Sequence, residues 1–497
     1  MTNTTVLNKA ADNIRILAAS MVEKAKSGHP GGAMGGADFV NTLFAEFLVY
    51  DPSDPKWINR DRFFLDPGHM SPMLYSVLAL TGKFTLDELK QFRQWGSPTP
   101  GHPEVDVMRG IENTSGPLGQ GHAMAVGAAI AERFLVARFG DWMAHKTYAF
   151  ISDGGIQEEI SQGAGRIAGY LGLNNLIMFY DSNDIQLSTD TDAVTKEDTA
   201  AKYRAWGWNV LEINGNDADA IRGALIEAGQ EQSRPTLIIG KTIMGKGVVT
   251  EEGQSYEGKC STHGQPLSAA GASFAKTIAH LGGNPDEPFA IFPEVEKLYA
   301  DRKAELLKVA ADRKAKQAAW EKENPELAVK LHQFFSGKAP EIDYKAIAQK
   351  PGIATRAASA NVLAVFAEQI ENMIVSSADL ANSDKTDGFL KKTHAFKSGD
   401  FTGAFLQAGV SELTMAAIMN GMMLHGGVIG ACGTFFVFSD YMKPAARMAA
   451  LMEVPVKYIW THDAFRVGED GPTHQPVEQE AQIRLLEQLK NHHGKNS

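Results

Sequence analysis

Two strand-end stretches carry the residues with the most definite chemistry. "YAFISDGG" runs from an apolar segment into Asp153, Gly154 and Gly155, which read as a turn, and "NLIMFYDSND" sets Asn183 after the next apolar segment. Asp153 and Asn183 both offer side-chain oxygen, and the backbone carbonyl of Ile185 adds a further donor. Oxygen donors without sulfur suit Mg²⁺ or Ca²⁺ rather than zinc. A hard ion with so few protein ligands completes its shell with phosphate oxygens and water. The adjacent glycines let the backbone approach such a phosphate closely. The competing reading is two ordinary strand-end turns, where Asp, Asn and Gly are common. The chain has no G-x-G-x-x-G after a strand and no G-x-x-x-x-G-K-[ST], so a phosphate site here is of another kind.

Histidines recur in loops flanked by Gly and Pro: His29 in "KSGHPGGAMGG", His69 in "DPGHMSP", His102 in "TPGHPE", His263 in "CSTHGQP", His462 in "WTHDAF" and His474 in "EDGPTHQP". A single loop histidine is usually a surface residue, but a recurring set is harder to dismiss. Their spacing does not suggest zinc. Histidines without a metal suit hydrogen bonding to a polyol or phosphate, and proton transfer near neutral pH. Glu412 in "GVSELTMAAIMNG" opens an apolar helix. It is either a first-turn carboxylate favoured by the helix dipole or a protonated glutamate facing a ligand nitrogen. Phe435, Phe438 and Tyr441 follow at three-residue steps, as core or as the lining of a slot for a flat ring.

These residues need elements to hold them. The chain has 497 residues, too many for one core. Up to about residue 288, β-rich runs ("HKTYAFI", "NLIMFYD", "WNVLEIN", "PTLIIGKT") alternate with helix-period segments. That alternation predicts a parallel sheet covered by helices. An Ala/Lys/Glu-rich stretch to about residue 323 reads as exposed helices, and the α/β pattern resumes near residue 353. The expected fold class is α/β, with two parallel-sheet domains joined by a helical linker: residues 1–325 with the trailing arm, a linker over 326–352, and 353–497. Ligands in such sheets bind at the carboxyl ends of the strands, where Asp153 and Asn183 fall. A net charge of −11 argues against nucleic acid as partner. The most apolar run, "GMMLHGGVIGACGTFFVF", is Gly-rich and reads as buried strand and loop, not a membrane span. Two cysteines fit a reducing cytoplasm.

In order along the chain, "SGHPGGAMG", "GHPE", "TSGPLGQG", "SDGGIQEEIS" with "YDSND", "STHGQPL", "SADL", "SELTMAAIMNG", "GTFFVFSDY" and "GEDGPTHQP" closely resemble the transketolases, thiamine-diphosphate enzymes. The resemblance implies that Asp153, Asn183 and the Ile185 carbonyl hold Mg²⁺, with Ca²⁺ as the alternative, against the cofactor diphosphate. It implies that Gly116, Leu118, Gly154, His69 and His263 line the cofactor site. Glu412 then hydrogen-bonds the aminopyrimidine ring, which Phe435, Phe438 and Tyr441 surround. His29, His102, His462 and His474 with Asp470 hold the sugar and move protons, while Arg356 and Ser383 clamp its phosphate. It also implies a homodimer acting on sugar phosphates, with each site shared between chains and Glu158 acting across the interface toward Glu412 of the other chain. The expected reaction moves a two-carbon ketol unit from xylulose 5-phosphate to ribose 5-phosphate or erythrose 4-phosphate.

Some positions depart from the family pattern. Ser152 stands for the usual Gly before Asp153, Ser411 and Leu413 replace the Arg and His around Glu412, Ala464 replaces a Ser, and Glu159 replaces a Gly. Family members run further, so the second domain is expected to be incomplete and a third domain absent. Two other readings use the same residues. One is a non-catalytic fragment that dimerises and binds thiamine diphosphate, and the other is a related deoxyxylulose-phosphate or dihydroxyacetone synthase.

Overall fold

The structure, a computed structural model, describes residues 2–464 and 467–488. The first of its two sheets contains β1 (Arg62–Leu65), β2 (Thr147–Ser152), β3 (Leu176–Ser182), β4 (Asn209–Asn214) and β5 (Thr236–Lys241), in the order β1-β2-β3-β5-β4. Every pairing is parallel. β2 and β3 are buried along their whole length, as near-continuous apolar runs in a helix-covered parallel sheet must be. β4, at the edge, is only part-buried. Ser152 pairs with Asp181, so β2 and β3 end side by side. The helix Thr4–Ala25 is capped by Asn3, whose Oδ1 accepts the Thr5 N–H at 2.8 Å. It buries Leu7, Ala10, Ala11, Ile14, Leu17, Ala18 and Met21, a spacing that makes one apolar stripe.

The second sheet contains β6 (Met373–Ser377), β7 (Phe405–Gln407), β8 (Ile429–Phe435) and β9 (Lys457–Thr461), in the order β7-β6-β8-β9 and again parallel. The strands expected from the sequence are present. β1 and β7 were not expected: four and three residues long, they are too short to show an alternating pattern.

Two compact units form. One comprises residues up to His122, Lys146–Glu158 and Leu176–Ala315; the other comprises Ala123–His145, Glu159–Asn175 and the chain from Lys316. The Ala/Lys/Glu-rich arm is one 31-residue helix, Pro293–Glu323, with Val295, Leu298, Tyr299, Arg302, Leu306 and Ala310 buried, so it is not exposed all round as expected. The stretch expected as linker opens with a helix, Pro325–Phe335, that buries Ala328, Leu331 and Phe334. The turn expected at Asp153 is instead the first residue of a short helix, Asp153–Gln157, capped by the Ser152 hydroxyl, which accepts the Gly155 N–H at 3.3 Å. The run "GMMLHGGVIGACGTFFVF" is the end of the helix Glu412–His425, then β8, then a 3-10 turn. Among the described residues no helix is long and apolar enough to cross a membrane.

In the second unit, the helix Gln120–Phe139 and the helix Glu412–His425 meet backbone to backbone. A Cβ on Gly127 would stand 1.9 Å from the Ile418 carbonyl oxygen, and one on Gly421 1.9 Å from that of Met124. Replacing a mid-helix glycine by alanine ordinarily stabilises a helix by about 1 kcal/mol. Here the clash wins, because overpacking costs about 1–3 kcal/mol and the obstructing atoms are backbone. Gly127→Ala and Gly421→Ala should therefore each lower the urea midpoint of unfolding, and an unchanged or raised midpoint would show that the helices do not meet this closely.

Candidate active site

The strand ends of the first sheet converge on Asp153. Its carboxylate is 3% exposed, so both oxygens need partners. Tyr180 Oη donates to Oδ1 at 2.6 Å, and the backbone N–H groups of Asn183 and Asp184 donate to Oδ2 at 3.0 and 3.1 Å. Burial nevertheless pushes its pKa up to about 6. Asn183 donates through Nδ2 to Asp181 at 2.8 Å, and its Oδ1 accepts the Ile185 N–H at 3.0 Å. Asp181 is also buried, bonded to the Thr242 hydroxyl, and burial raises its pKa to about 7.

Asp66, just after β1, was not singled out in the sequence. It is buried, and it accepts the N–H groups of Gly119 at 3.0 Å and His122 at 3.2 Å. It thereby shapes the loop "SGPLGQG" that carries Gly116 and Leu118. The available signal was an apolar "RFFL" running into Asp66, the same pattern that marked Asp153.

Beside Asp153 lies a cavity of about 320 Å³ lined by His29, His69, His102, His263, Gly116, Leu118, Gly154, Asn183 and Ile185, with Gln186, Leu187 and Met244 that sequence reasoning missed. The four histidines, distant in sequence, form one cluster. His29 lies 5.2 Å from His69, 6.3 Å from His102 and 5.9 Å from His263 between ring centroids, and His69 stacks on His263 at 5.3 Å. Burial holds all four imidazoles below their ordinary pKa, with neighbouring rings or Arg93 adding to the effect on His29, His69 and His102. His29 falls to about 4. Neutral imidazoles accept protons and hydrogen-bond hydroxyls at physiological pH.

The donor set fits a diphosphate cofactor with a hard cation. His29 Nδ1, His263 Nδ1 and Gln186 Nε2 are buried polar atoms without a protein partner, as groups that meet a ligand would be. A Cβ on Gly154 would stand 3.0 Å from Leu118 Cδ1, so the glycine spares a tight contact between the strand end and the loop that carries Leu118. The cost of ionising buried Asp153 is one a divalent cation would offset. No group of three or more His, Cys, Asp or Glu among the described residues is set to hold a metal.

The second unit gathers a separate group at the carboxyl end of its sheet. His462 follows β9 with φ 55° and lies 3.7 Å from Phe435 between ring centroids. Arg356, in the first turn of the helix Thr355–Gln369, bonds to His462 Nε2. Burial and then Arg356 lower the His462 pKa, while Asp470 opposes them. His474 lies 5.4 Å from Phe438, and Tyr441 lies 6.1 Å from Phe438 but is 61% exposed. Ser383 sits on the helical turn Ala381–Asp384, and no hydrogen bond or ring contact joins it to this group among the described residues. Glu412 begins the helix Glu412–His425, half-buried, and burial raises its pKa. Glu158 and Glu159 are exposed at the end of the Asp153 helix. Of the departures from the family pattern, Ser152 is the residue that caps that helix.

Two family descriptions match the chain: the transketolase thiamine diphosphate binding domain over residues 6–340 and the transketolase pyrimidine binding domain over residues 351–493. The chain is 43% identical to a transketolase of Geobacillus stearothermophilus over 97% of its own length and 72% of that protein's. It is 42% identical to one of Bacillus subtilis, over 98% and 73%. The solved transketolase of Leishmania mexicana superimposes with a TM-score of 0.91 at 37% identity, covering 98% of this chain and 72% of that one. That of Pichia stipitis in complex with sedoheptulose 7-phosphate gives 0.90 at 38%, covering 97% and 72%. The fold and site thus define a thiamine-diphosphate-dependent transferase. The chain belongs to the transketolase family.

Asp66→Ala would leave the Gly119 and His122 N–H groups buried and unmet, at about 1–3 kcal/mol each. The variant should unfold at lower urea and bind thiamine diphosphate with Mg²⁺ more weakly in calorimetry. Affinity equal to wild type would mean that the loop holds its shape without Asp66.

Proposed function

We propose that the chain transfers a two-carbon ketol unit reversibly from a ketose phosphate to an aldose phosphate, with xylulose 5-phosphate as donor and ribose 5-phosphate or erythrose 4-phosphate as acceptor. The observation that carries this reading is the cluster of His29, His69, His102 and His263 around one cavity beside buried Asp153. The complexes of the Pichia stipitis relative with sedoheptulose 7-phosphate and xylulose 5-phosphate support the substrate class.

Thiamine diphosphate, when bound, supplies the carbon nucleophile and electron sink that cleavage beside a carbonyl requires. Asp153, Asn183 and the Ile185 carbonyl would hold Mg²⁺, or Ca²⁺, against its diphosphate. Gly116, Leu118, Gly154, His69 and His263 would shape the surrounding wall. Glu412, half-buried and with its pKa raised by burial, would hydrogen-bond a nitrogen of the aminopyrimidine ring. Phe435, Phe438 and Tyr441 would flank that ring. His29, His102 and His474 would hold the sugar hydroxyls and move their protons, contributions of about 10²–10⁴-fold for each well-placed general base. His462 and Asp470 would share that task, while Arg356 and Ser383 would grip the phosphorylated end, Arg by its bidentate geometry. The active form is a cytoplasmic homodimer with sites shared between chains, where Glu158 acts toward the partner subunit's Glu412. Its free cysteines, Cys260 and Cys432, accord with a reducing compartment.

A coupled ketol-transfer assay on the full chain should show turnover that requires thiamine diphosphate and a divalent cation. Mg²⁺-dependent cofactor binding without turnover would overturn this reading in favour of a binding fragment. Asp153→Ala should abolish the metal dependence of cofactor binding while circular dichroism stays native; retained dependence would remove Asp153 from the metal site. Glu412→Ala should bind cofactor measurably but slow hydrogen exchange at the thiazolium C2 by about 10²–10⁴-fold, whereas rapid exchange would exclude Glu412 from that role.

A further inference from the structure

Arg93 is not among the residues assigned above, yet it touches both loops that carry His29 and His102. Its Nη1 donates to Ser27 Oγ at 2.9 Å. Its Nε, Cζ and Nη2 lie 2.8–3.1 Å from where a Cβ on Gly101 would stand, so the guanidinium in this position packs directly on the Gly101 backbone and would have to shift for any larger residue there. Its backbone N–H donates to the Thr99 carbonyl at 3.0 Å. Ser27 is two positions before His29, and Gly101 immediately precedes His102.

This placement has costs. Arg93 is held at φ 62°, a left-handed conformation that costs a residue with a Cβ about 1–2 kcal/mol. Its Nε is buried without a hydrogen-bond partner, an unmet donor costing about 1–3 kcal/mol. Strain and an unmet donor together at the edge of a site point to a role in that site.

We propose that Arg93 is a positioning residue for ketol transfer: it ties the Ser27–His29 loop to the Thr99–His102 loop, and it sets a permanent positive charge beside the two loops that carry these rings. The chemistry rests on the proposed function; the tie between the loops and the charge beside the rings do not.

The electrostatic surroundings agree. His29 faces His69, His102 and His263, and its pKa is lowered first by burial, then by His263, Arg93 and His102. For His102, burial leads and Arg93 follows. Of these groups Arg93 alone is charged throughout the physiological range, because a guanidinium does not deprotonate there. No carboxylate is among the groups acting on either ring. Removing the charge should raise both imidazole pKa values, which protonates the rings at higher pH and shifts the acid limb of the rate profile the same way.

The test compares full-length wild type with Arg93→Met and Arg93→Lys. Hydrogen–deuterium exchange at the imidazole C2, read by mass spectrometry on peptides containing His29 and His102, gives each ring's titration without any turnover. Arg93→Met should raise both midpoints. Arg93→Lys should leave them near wild type, because it keeps the charge. Lysine lacks the fork that reaches Ser27 while lying on Gly101, so both variants should lose roughly tenfold to a hundredfold in kcat/KM, the scale of a misplaced catalytic group. The acid limb should move upward only in Arg93→Met. Unchanged midpoints in Arg93→Met would overturn the electrostatic role, and wild-type kcat/KM in both variants would overturn the positioning role. If the wild-type chain shows no ketol transfer, the proposed function fails, and the titration still decides whether Arg93 sets the protonation of the two histidines.

Discussion

A carboxylate removed from water must have its oxygens met, and the buried Asp153 makes that requirement the organising constraint of the first sheet. Its partners come from Tyr180 within β3 and from the backbone just past β3 at Asn183 and Asp184. Satisfying one side chain therefore locks the end of β2 to the end of β3 and sets the direction in which Asn183 and Ile185 leave the sheet. Asp66 repeats the device at the end of β1, gathering the N–H groups of the Gly119–His122 turn. Both carboxyls are raised to about 6 by burial. The protein thus spends stability at its strand ends, the expected signature of groups arranged for a ligand rather than for the fold alone.

The same low-polarity setting explains the histidines. Each imidazole in the cluster is buried, and burial disfavours the imidazolium. The rings crowd one another at 5–6 Å between centroids, so protonating any one makes protonation of the next harder. A cavity walled by neutral rings offers several hydrogen-bonding nitrogens with little net charge, which suits neutral polyol hydroxyls better than phosphate. In the proposed reading, charge for the phosphorylated end would fall to Arg356, and for a diphosphate to a cation held at Asp153.

Much of the fold was legible because parallel strands buried on both faces read as apolar runs, as in "NLIMFYD" and "PTLIIGKT". β1 and β7 escaped because three or four residues carry no periodicity. The Asp153 turn was misread because Asp-Gly-Gly has the composition of a loop, while the Ser152 hydroxyl and the Gly155 N–H make it a helix start. Asp153, Asn183 and the loop histidines could be singled out by residue type, since oxygen and imidazole donors after strands have few other uses. Asp66 carried the same signal as Asp153, an apolar run into an Asp, and was passed over, whereas nothing in the local sequence of Tyr180, Gln186 and Arg93 separates them from ordinary strand or loop residues. Only the register of β2 against β3 sets Tyr180 beside Asp153, and only the fold of the loops around residues 27 and 101 sets Arg93 against Ser27 and Gly101.

The backbone contact at Gly421 has a mechanical consequence for Glu412. The two residues lie nine positions apart on one helix, about 13.5 Å at 1.5 Å per residue. With no side chain between Gly421 and the Met124 carbonyl, the helix has a hard pivot rather than a cushioned one. A tilt of about 5° around that pivot would carry Glu412 through about 1 Å, which, in the proposed role of that glutamate, would cost on the order of a hundredfold in rate. The aim of the glutamate is therefore gauged at the far end of its helix, by a contact that involves no functional group at all.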